Sequence, residues 1–561
     1  MQPSPAGLAT SIRSTLTAER VVGLLIAAFV LFQLIGLDRL PPAFEDEPWI
    51  AEPGYRFWED GVLRSELKRG FFGAEERYLL HAPLYSVLSG GVVRLFGPGL
   101  VQVRLLALAF AATAAVLTFL LGRRLLSPRH GLLAVAVLLL WRLAPASIYY
   151  PSGIPFVDLG RLARYDVAVP VWGLAGFLLV LPRRRAVGDS GGAAIASSRA
   201  APRLDAGWLR MVVAGVCAGL AIMTHPVGIA WVAMIAVATL LTHERRERII
   251  HCAWIAAGAA AALLPWAWML ADGWTAFVAQ QQYVAERYDL LQPQFYLWNM
   301  LTEWRRYSPI ARGVLAGQPG AVLLLVCGLT GLVALCASAL RRREGDRVLP
   351  AMLLTGASLF GLGLRPKYYH YVAALWPLIA ITAAAGVMAI RQSRTRMLRA
   401  AGAAALAIVC LDGVIGWGRL AVQSASVTPY TALCDRLAAA IPPDGCLLAM
   451  PTYWLGLVSR VDSYRSIIVP VAHAAKFAVP GRSIRDTLDE TGSDVILLDP
   501  PMLRFLAQAD NPADPFAAVA AGLRDYLAEH ATRRTVIEDP SYGRFEIYCL
   551  RPWSRCPAGT R

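Results

Sequence analysis

The chain has 561 residues, of which 56% are hydrophobic and 17% are charged, and its mean hydropathy is +0.48. This composition excludes an ordinary soluble globular protein and predicts a polytopic membrane protein. A net charge of +15 would suggest nucleic-acid binding in a soluble chain. Here the basic residues cluster between apolar segments, where they set orientation in a membrane, so we expect no nucleic-acid partner.

Eleven apolar runs approach or reach the length of about 20 residues that a helix needs to cross a bilayer. The first run lacks a small-residue cleavage pattern, which predicts an uncleaved span rather than a signal peptide. The predicted spans are approximately 21–37, 101–121, 131–149, 162–181, 209–224, 227–241, 250–271, 320–340, 349–364, 371–390 and 398–417.

Basic clusters predict the orientation of these spans. With eleven spans and a cytoplasmic N-terminus, every cluster falls on the cytoplasmic side. The segment 81–97 is moderately apolar, but counting it as a span would place the clusters outside. We therefore expect it to form a helix along the membrane surface, within a long external loop at 39–100. The clusters lie at 123–124, 183–185, 245–248, 341–343 and 391–399.

The remaining sequence divides between loops and a second domain. Strand-like runs at 445–450, 494–498 and 544–550 alternate with helical stretches at 429–441 and 517–530, which predicts a small external α/β domain. We expect a membrane domain at 1–420, an α/β domain at 421–561 and a flexible cytoplasmic linker at 188–202. The other external segments are 150–161, 225–226, 272–319 and 365–370.

Four of the nine cysteines, Cys434, Cys446, Cys549 and Cys556, lie in the C-terminal part. On an oxidising face they would allow one or two disulfides, whose connectivity the sequence does not define.

Unusual polar residues collect at the predicted external face. Glu45, Asp46 and Glu47 follow the first span, and ionised carboxylates are too costly in hydrocarbon, so they belong at a water-facing mouth. A carboxylate there can take a proton from an attacking hydroxyl, and cations can hold a phosphate. The residues expected to bind such a substrate are His81, Arg161, Arg164, His225, Arg365, Lys367, Tyr368 and His370, with Asp166 as a further acid.

Simpler interpretations stay open for several of these residues. The acids after the first span could belong to a solvated loop, and Arg365, Lys367 and the tyrosines beside them could be interfacial anchors. His225 could cap a tight turn before Pro226. Asp166 is harder to dismiss, because an acid in the first turn of a predicted span needs a partner or a function; Arg164 and Arg161 are the nearest candidates.

The order and spacing of several motifs resemble the C-type membrane glycosyltransferases (GT-C), in particular the bacterial protein-O-mannosyltransferase-like and aminoarabinose-transferase-like enzymes (glycosyltransferase families 39 and 83). An acidic pair, Asp46 and Glu47, is followed by a Pro-Leu-Tyr helix that ends in Phe-Gly. The resemblance covers about the first 390 residues. It continues through 103–105, the Arg-Tyr-Asp at 164–166, 219–224, and the Lys-Tyr-Tyr-His-Tyr at 367–371 followed by Pro377.

This resemblance implies a GT-C-like fold and an inverting transferase that moves a sugar from a polyprenyl-phosphate donor to an acceptor hydroxyl or phosphate. It makes Asp46 the catalytic base and counts Glu47 beside it among the catalytic residues. It gives Asp166 the second acidic position, also catalytic, which holds the acceptor or a cation. Arg164, Lys367 and Arg365 would bind the donor phosphate. The enzyme would act at the external face of the bacterial inner membrane, on a lipid, glycan or protein acceptor.

The sequence departs from the family pattern where relatives often carry lysine: it has His81 before the Pro-Leu-Tyr helix and His225 at a turn.

A transporter or flippase of a lipid-linked substrate is the alternative function, although we find no internal repeat and the acids lie at one face. A third hypothesis is an inactive scaffold. A divalent cation could bind between carboxylates, but no ligand cluster has a recognisable spacing. The sugar, the acceptor and the oligomeric state are not predicted.

Overall fold

The computed structural model describes residues 5–182, 207–288, 290–341, 347–475 and 483–550. The predicted linker at 188–202, most of the basic clusters at 183–185 and 341–343, and Cys556 lie outside these ranges. The helices are α1 Pro5–Leu34, α2 Asp46–Asp60, α3 Leu84–Phe96, α4 Leu100–Leu125, α5 Pro128–Leu140, α6 Pro155–Leu159, α7 Val169–Val180, α8 Gly207–Thr224, α9 Ile229–Thr242, α10 Arg245–Asp272, α11 Trp274–Arg287, α12 Pro293–Leu301, α13 Ser308–Leu315, α14 Pro319–Leu340, α15 Val348–Gly363, α16 Trp376–Arg391, α17 Arg396–Ser426, α18 Tyr430–Ala439, α19 Trp454–Leu457, α20 Ile468–Ala475, α21 Ile484–Asp489, α22 Pro500–Ala507 and α23 Ala517–His530.

A helix occupies each of the eleven predicted spans, but only six helices in the described residues are long and apolar enough to cross a membrane by length and composition. These six lie in α1, α4, α8, α10, α14 and α17. Helices α5, α7, α9, α15 and α16 are shorter, so the number eleven stays a prediction. Helix α7 begins at Val169 rather than at 162, because residues 165–167 form a separate 3₁₀ turn before it.

Small residues allow the apolar helices to approach closely. Helices α14 and α16 meet through Gly331 and Gly386: a methyl group added at Gly331 would lie 2.0 Å from the Thr382 carbonyl oxygen. One added at Gly386 would lie 1.9 Å from the carbonyl oxygen of Cys327. The two backbones are therefore in direct contact, and neither position has room for a side chain.

The C-terminal part contains a five-stranded sheet in the order β2-β1-β3-β5-β4. Strands β2, β1 and β3 are parallel, and β5 pairs antiparallel with both β3 and β4. The expected strands at 445–450, 494–498 and 544–550 are confirmed as β1, β3 and β5, but the sequence missed β2 and β4. The bounds are β1 Cys446–Ala449, β2 Ser463–Ser466, β3 Val495–Leu498, β4 Arg533–Asp539 and β5 Gly543–Cys549.

This sheet packs directly on the loop that follows α1. Ala43, Ala51 and Ala163 belong to the same buried apolar cluster as the strands β1 and β3. The rings of Tyr55 in α2 and Trp454 in α19 lie 5.8 Å apart, edge to face. The α/β part therefore shares a core with the predicted external loop and is not a separate, loosely attached module.

We predict that Gly331→Ala destabilises the protein by about 1–3 kcal/mol, because the added methyl group must separate α14 from α16. Gly328, one turn earlier in α14, has nothing within 4 Å of its added methyl group. Gly328→Ala is the matched control and should be neutral or stabilising by up to about 1 kcal/mol, since alanine has the higher helix propensity. Thermal unfolding in detergent measures both. Equal melting temperatures for the two variants would contradict the close contact.

Candidate active site at the start of helix α2

The three acids of the Glu45-Asp46-Glu47 sequence occupy different environments although they are neighbours in the chain. Helix α2 begins at Asp46, and Asp46 and Glu47 lie in its first turn, where the helix dipole favours negative charge. Because successive helical residues point about 100° apart, one acid turns inward and the other outward. The side chain of Glu47 is fully buried, while that of Asp46 is 31% exposed.

Glu47 has all its acceptor positions filled by the protein. Its two oxygens accept from Nε and Nη2 of Arg104 in α4 at 2.9 and 2.8 Å. The backbone N–H groups of Ala163 and Phe44 also donate to it, each at 2.8 Å. We predicted that Glu47 is catalytic, but this buried carboxylate has no free surface toward a substrate. Its position assigns it a structural role, joining α2, α4 and the loop before Arg164.

Arg161 also differs from the role expected of it. Its guanidinium is buried and donates to four backbone carbonyls at or just after the C-terminal end of α1: Gln33 at 2.7 Å, Ile35 at 2.9 Å, Gly36 at 2.7 Å and Leu40 at 2.8 Å. These carbonyls are unsatisfied in an isolated helix and favour a cation. Arg161 therefore closes the end of α1 and leaves no donor for a substrate.

Arg164 connects the two remaining acids. Its Nε donates to Asp166 at 2.8 Å, and its Nη1 forms an ion pair with Asp46. Arg164 is only 2% exposed, so little of its guanidinium is open to a substrate phosphate. Arg164 is the partner that Asp166 needed. Its geometry makes it the residue that positions Asp46, which is the acid with exposed surface.

An aromatic wall lies beside Arg164 and its two carboxylate partners. It consists of His81, His225, His370, Tyr165 and Tyr371. The ring of His225 stacks on Tyr165 at 4.0 Å and lies 6.0 Å from the ring of His81. Tyr371 lies 5.7 Å from His225 and 4.6 Å from His370. The Nδ1 atom of His225 accepts from the N–H of residue 227 at 3.2 Å, so it does cap its turn as well as line the site.

The wall is uncharged near neutral pH. Burial lowers the pKa of His81 to about 4 and that of His370 to about 3. Positive neighbours act in the same direction: Lys68 for His81 and Arg164 for His370. His81 and His370 therefore provide neutral hydrogen-bonding rings and no positive charge at this wall.

Arg365 and Lys367 line a separate concave region next to the wall, a cavity of about 340 Å³. The Nζ of Lys367 donates to Glu303 at 2.6 Å, and Glu303 also pairs with Arg306 at 2.7 Å. One carboxylate thus faces two cations, which leaves this region with a net positive charge. Tyr368 is exposed beside it and stacks on His370 at 5.2 Å. The cavity is lined by Gln292, Gln294, Phe295, Trp298, Asn299, Thr302, Arg305, Arg365 and Lys367.

Sequence reasoning assigned no role to Arg104 or Glu303, although both are charged residues central to the site. Arg104 was visible as a lone arginine inside an apolar run, and such a residue needs a partner. Glu303 had no comparable signal, because it lies in a mixed polar loop with several arginines.

The described residues contain no group of three or more histidine, cysteine, aspartate or glutamate side chains that could hold a metal ion. Asp46 and Asp166, the pair that could have shared a divalent cation, are bridged by Arg164 instead. This arrangement of Asp46 and Asp166 does not fit a divalent cation between them, which the sequence left open, and we derive no catalytic step through one.

Among the cysteines expected to be external, Cys434 and Cys446 are free and Cys549 is disulfide-bonded.

Comparison with solved structures shows the fold. ArnT from Cupriavidus metallidurans in the apo state matches with a TM-score of 0.54 at 13% identity, over 95% of this chain and 98% of that one. ArnT bound to undecaprenyl phosphate matches with a TM-score of 0.54 at 14% identity, over 96% and 99%. The Archaeoglobus fulgidus oligosaccharyltransferase, solved with Zn and sulfate, matches with a TM-score of 0.53 at 13% identity, over 94% and 73%. No family model and no curated protein sequence matches. The expected C-type glycosyltransferase fold is confirmed.

We predict that Glu47→Gln destabilises the protein by about 3–5 kcal/mol, because it leaves the buried Arg104 charge without its carboxylate. The control is Glu66→Gln. The partly exposed ion pairs of Glu66 with Arg64 and Arg69 each contribute about 0–1 kcal/mol to stability. Thermal unfolding in detergent compares the two. A Glu47→Gln protein as stable as wild type would refute the structural role.

We also predict that acidification destabilises the protein between pH 6.5 and about 4, in part through His81. Its pKa is about 4 in the folded protein and 6.5 ordinarily. In this range the unfolded chain binds a proton that the folded chain does not, so stability falls as the pH falls. The His81→Gln variant should lose less stability than wild type over this range, with His530→Gln as the control. Identical pH profiles for wild type and His81→Gln would contradict the buried neutral state.

Proposed function

We propose that this protein is a membrane glycosyltransferase that transfers a sugar from a polyprenyl-phosphate donor to an acceptor on the external face of the membrane. The observation that carries the proposal is the partly exposed Asp46 carboxylate at the start of α2, held by Arg164, which Asp166 in turn pairs with, inside a GT-C-like fold. One solved structure of this fold holds undecaprenyl phosphate, and another holds an inhibitory peptide and a dolichol-phosphate. A lipid-phosphate donor is therefore the natural ligand class to test.

In the proposed reaction the acceptor hydroxyl attacks the anomeric carbon of the sugar from the side opposite the phosphate. The new bond joins the acceptor oxygen to that carbon, and the bond from the carbon to the phosphate oxygen breaks. The proton of the hydroxyl passes to Asp46, and the lipid phosphate leaves with the bonding electrons. Attack from the opposite face inverts the anomeric configuration. Arg164 holds Asp46 in place for this step, so it acts as a positioning residue.

The donor phosphate is proposed to bind in the cavity that contains Arg365 and Lys367. The cavity has a net positive charge, and anions bind best where charge-assisted hydrogen bonds can form. The tryptophan that lines it, Trp298, is 67% exposed, and its helix α12 presents other apolar side chains outward. A lipid-linked ligand could therefore place its chain in the bilayer and its phosphate against Arg365. His370 interacts electrostatically with Asp166 and Arg164 and also with Arg306, the ion-pair partner of Glu303.

A transporter or flippase of a lipid-linked substrate remains the alternative, because the same cavity could bind a lipid phosphate without chemistry. The two functions differ in one respect: a transporter does not need a carboxylate that acts as a general base, whereas the proposed transferase depends on Asp46 for that step.

We predict that Asp46→Asn lowers turnover at least about 100-fold, as expected for loss of a general base. The assay uses purified protein in lipid with a panel of radiolabelled polyprenyl-phosphate sugars and follows release of the lipid phosphate. The control is Asp60→Asn at the other end of α2, where the exposed carboxylate pairs with Arg64 and turnover should be unchanged.

Wild-type turnover retained in Asp46→Asn would remove Asp46 from the mechanism. Tight binding of one donor without any turnover by wild type would favour the transporter.

A further inference from the structure

Helix α12 has an inner face whose rotation is fixed by hydrogen bonds. Phe295 and Asn299 lie four residues apart, on one side of the helix, and are 7% and 3% exposed. The Nδ2 atom of Asn299 donates to the carbonyls of Gly361 and Leu362 in α15, at 2.7 and 3.0 Å. These contacts decide which residues of α12 face outward.

The outward side of α12 exposes several large apolar side chains. Leu297 and Trp298 are each 67% exposed, and Leu301 is 60% exposed. Trp304, in the 3₁₀ turn that follows the helix, is 66% exposed. An exposed apolar patch of this kind marks a surface that another apolar phase or molecule covers.

The position of α12 in the chain indicates that the bilayer covers this patch. Helix α12 lies in the connection between α10 and α14, and both of these helices are long and apolar enough to cross a membrane. Trp268, near the C-terminal end of α10, is 78% exposed. Tryptophans are enriched at the membrane–water interface, and amphipathic helices lie in its plane. Helix α12 therefore fits the interface, with its exposed apolar side chains toward the hydrocarbon.

The same helix forms one wall of the cavity that contains Lys367. The α12 residues that line this cavity, together with the residue that ends the helix, are Phe295, Trp298, Asn299 and Thr302. Their spacing of three, four and seven residues places them along a single stripe. Phe295 and Asn299 in this stripe are buried, whereas Trp298 also belongs to the exposed patch. Trp298 therefore lies where the cavity meets the surface that faces the bilayer.

The charge and the volume of the cavity decide which part of a lipid phosphate it can hold. Arg305, Arg365 and Lys367 line it, and such cations bind phosphate through charge-assisted hydrogen bonds. Its volume of about 340 Å³ is at the lower end of the range of ligand pockets, about 300–1,000 Å³. A polyprenyl chain does not fit this volume beside its phosphate and sugar. The chain must leave the cavity, and Trp298 provides an apolar exit.

We propose that Trp298 binds the first isoprene units of the donor lipid where they leave its phosphate, and that it thereby selects a long-chain isoprenoid phosphate over phospholipids. The inference rests on the lipid-phosphate donor of the proposed function and adds the group that recognises the chain. The indole offers a flat apolar surface to a single chain. A phospholipid instead carries two acyl chains on a glycerol beside its phosphate, which does not suit a single exit.

The test measures binding of radiolabelled undecaprenyl phosphate to the full-length protein in phosphatidylcholine vesicles. Two unlabelled competitors are compared with unlabelled undecaprenyl phosphate: phosphatidylglycerol, which has a phosphate but no isoprenoid chain, and inorganic phosphate, which has no chain at all. The variants are Trp298→Ala and Trp298→Phe. The matched control is Trp304→Ala, because Trp304 is 66% exposed in the same patch but is not among the residues that line the cavity.

Trp298→Ala should weaken the binding of undecaprenyl phosphate at least about tenfold, as expected when a large apolar side chain loses its contacts. Trp298→Phe should weaken it less, and Trp304→Ala should bind like wild type. The inhibition constant of inorganic phosphate should be the same in all four proteins, because this competitor has no chain for Trp298 to contact. Phosphatidylglycerol should displace the label only weakly.

Unchanged binding in Trp298→Ala, or an equal loss in Trp304→Ala, would overturn the chain subsite. A changed inhibition constant of inorganic phosphate in Trp298→Ala would also overturn it, because the effect would then lie in the phosphate site. Displacement by phosphatidylglycerol as effective as by undecaprenyl phosphate would assign the cavity to phospholipid headgroups instead. A wild-type protein that binds no undecaprenyl phosphate would refute the lipid-phosphate donor of the proposed function itself, so the two failures are distinguishable.

Discussion

The buried ion pair between Glu47 and Arg104 is the interaction on which the candidate site depends. Removing two charges from water is costly, and such a pair is tolerated only when all other hydrogen-bonding positions are satisfied. Here Arg104 also donates to the carbonyls of Leu37 and Pro41 at 2.8 and 2.9 Å, and Glu47 accepts from Ala163. Four separate backbone segments therefore converge on one pair. The positions of Asp46 and Arg164 follow from it, since Asp46 adjoins Glu47 and Arg164 adjoins Ala163, which donates to Glu47.

Much of the fold could be predicted because its signals are local. Apolar length predicted a helix in every span, and alternating strand-like and helical runs predicted β1, β3 and β5. Strand β2 was missed because Ser463–Ser466 is a four-residue polar segment whose pairing with β1 supplies the only evidence of a strand. The start of α7 was placed too early because Leu162 and Ala163 are apolar, although they pack in a buried turn rather than in a membrane helix.

The sequence predicts which residues belong to the candidate site, but only in part what each of them does there. Acids and bases at helix mouths identified Asp46, Arg164, Asp166, His225 and His370, and the structure brings these together. Sequence could not distinguish Asp46 from Glu47, because only the rotation of α2 decides which carboxylate faces inward. It could not exclude Arg161 either, since its four carbonyl partners are backbone groups that carry no sequence signal. The charge balance around Lys367 depends on Glu303, 64 residues away.

The packing of the C-terminal sheet on the loop after α1 has a consequence for biosynthesis. Strand β5, close to the end of the chain, pairs with β3, and this sheet covers α2 near the beginning. The apolar surface around Ala51 and Ala163 therefore stays uncovered during synthesis until the strands of this sheet have been made. The surroundings of Asp46 are thus completed only after the C-terminal sheet has folded.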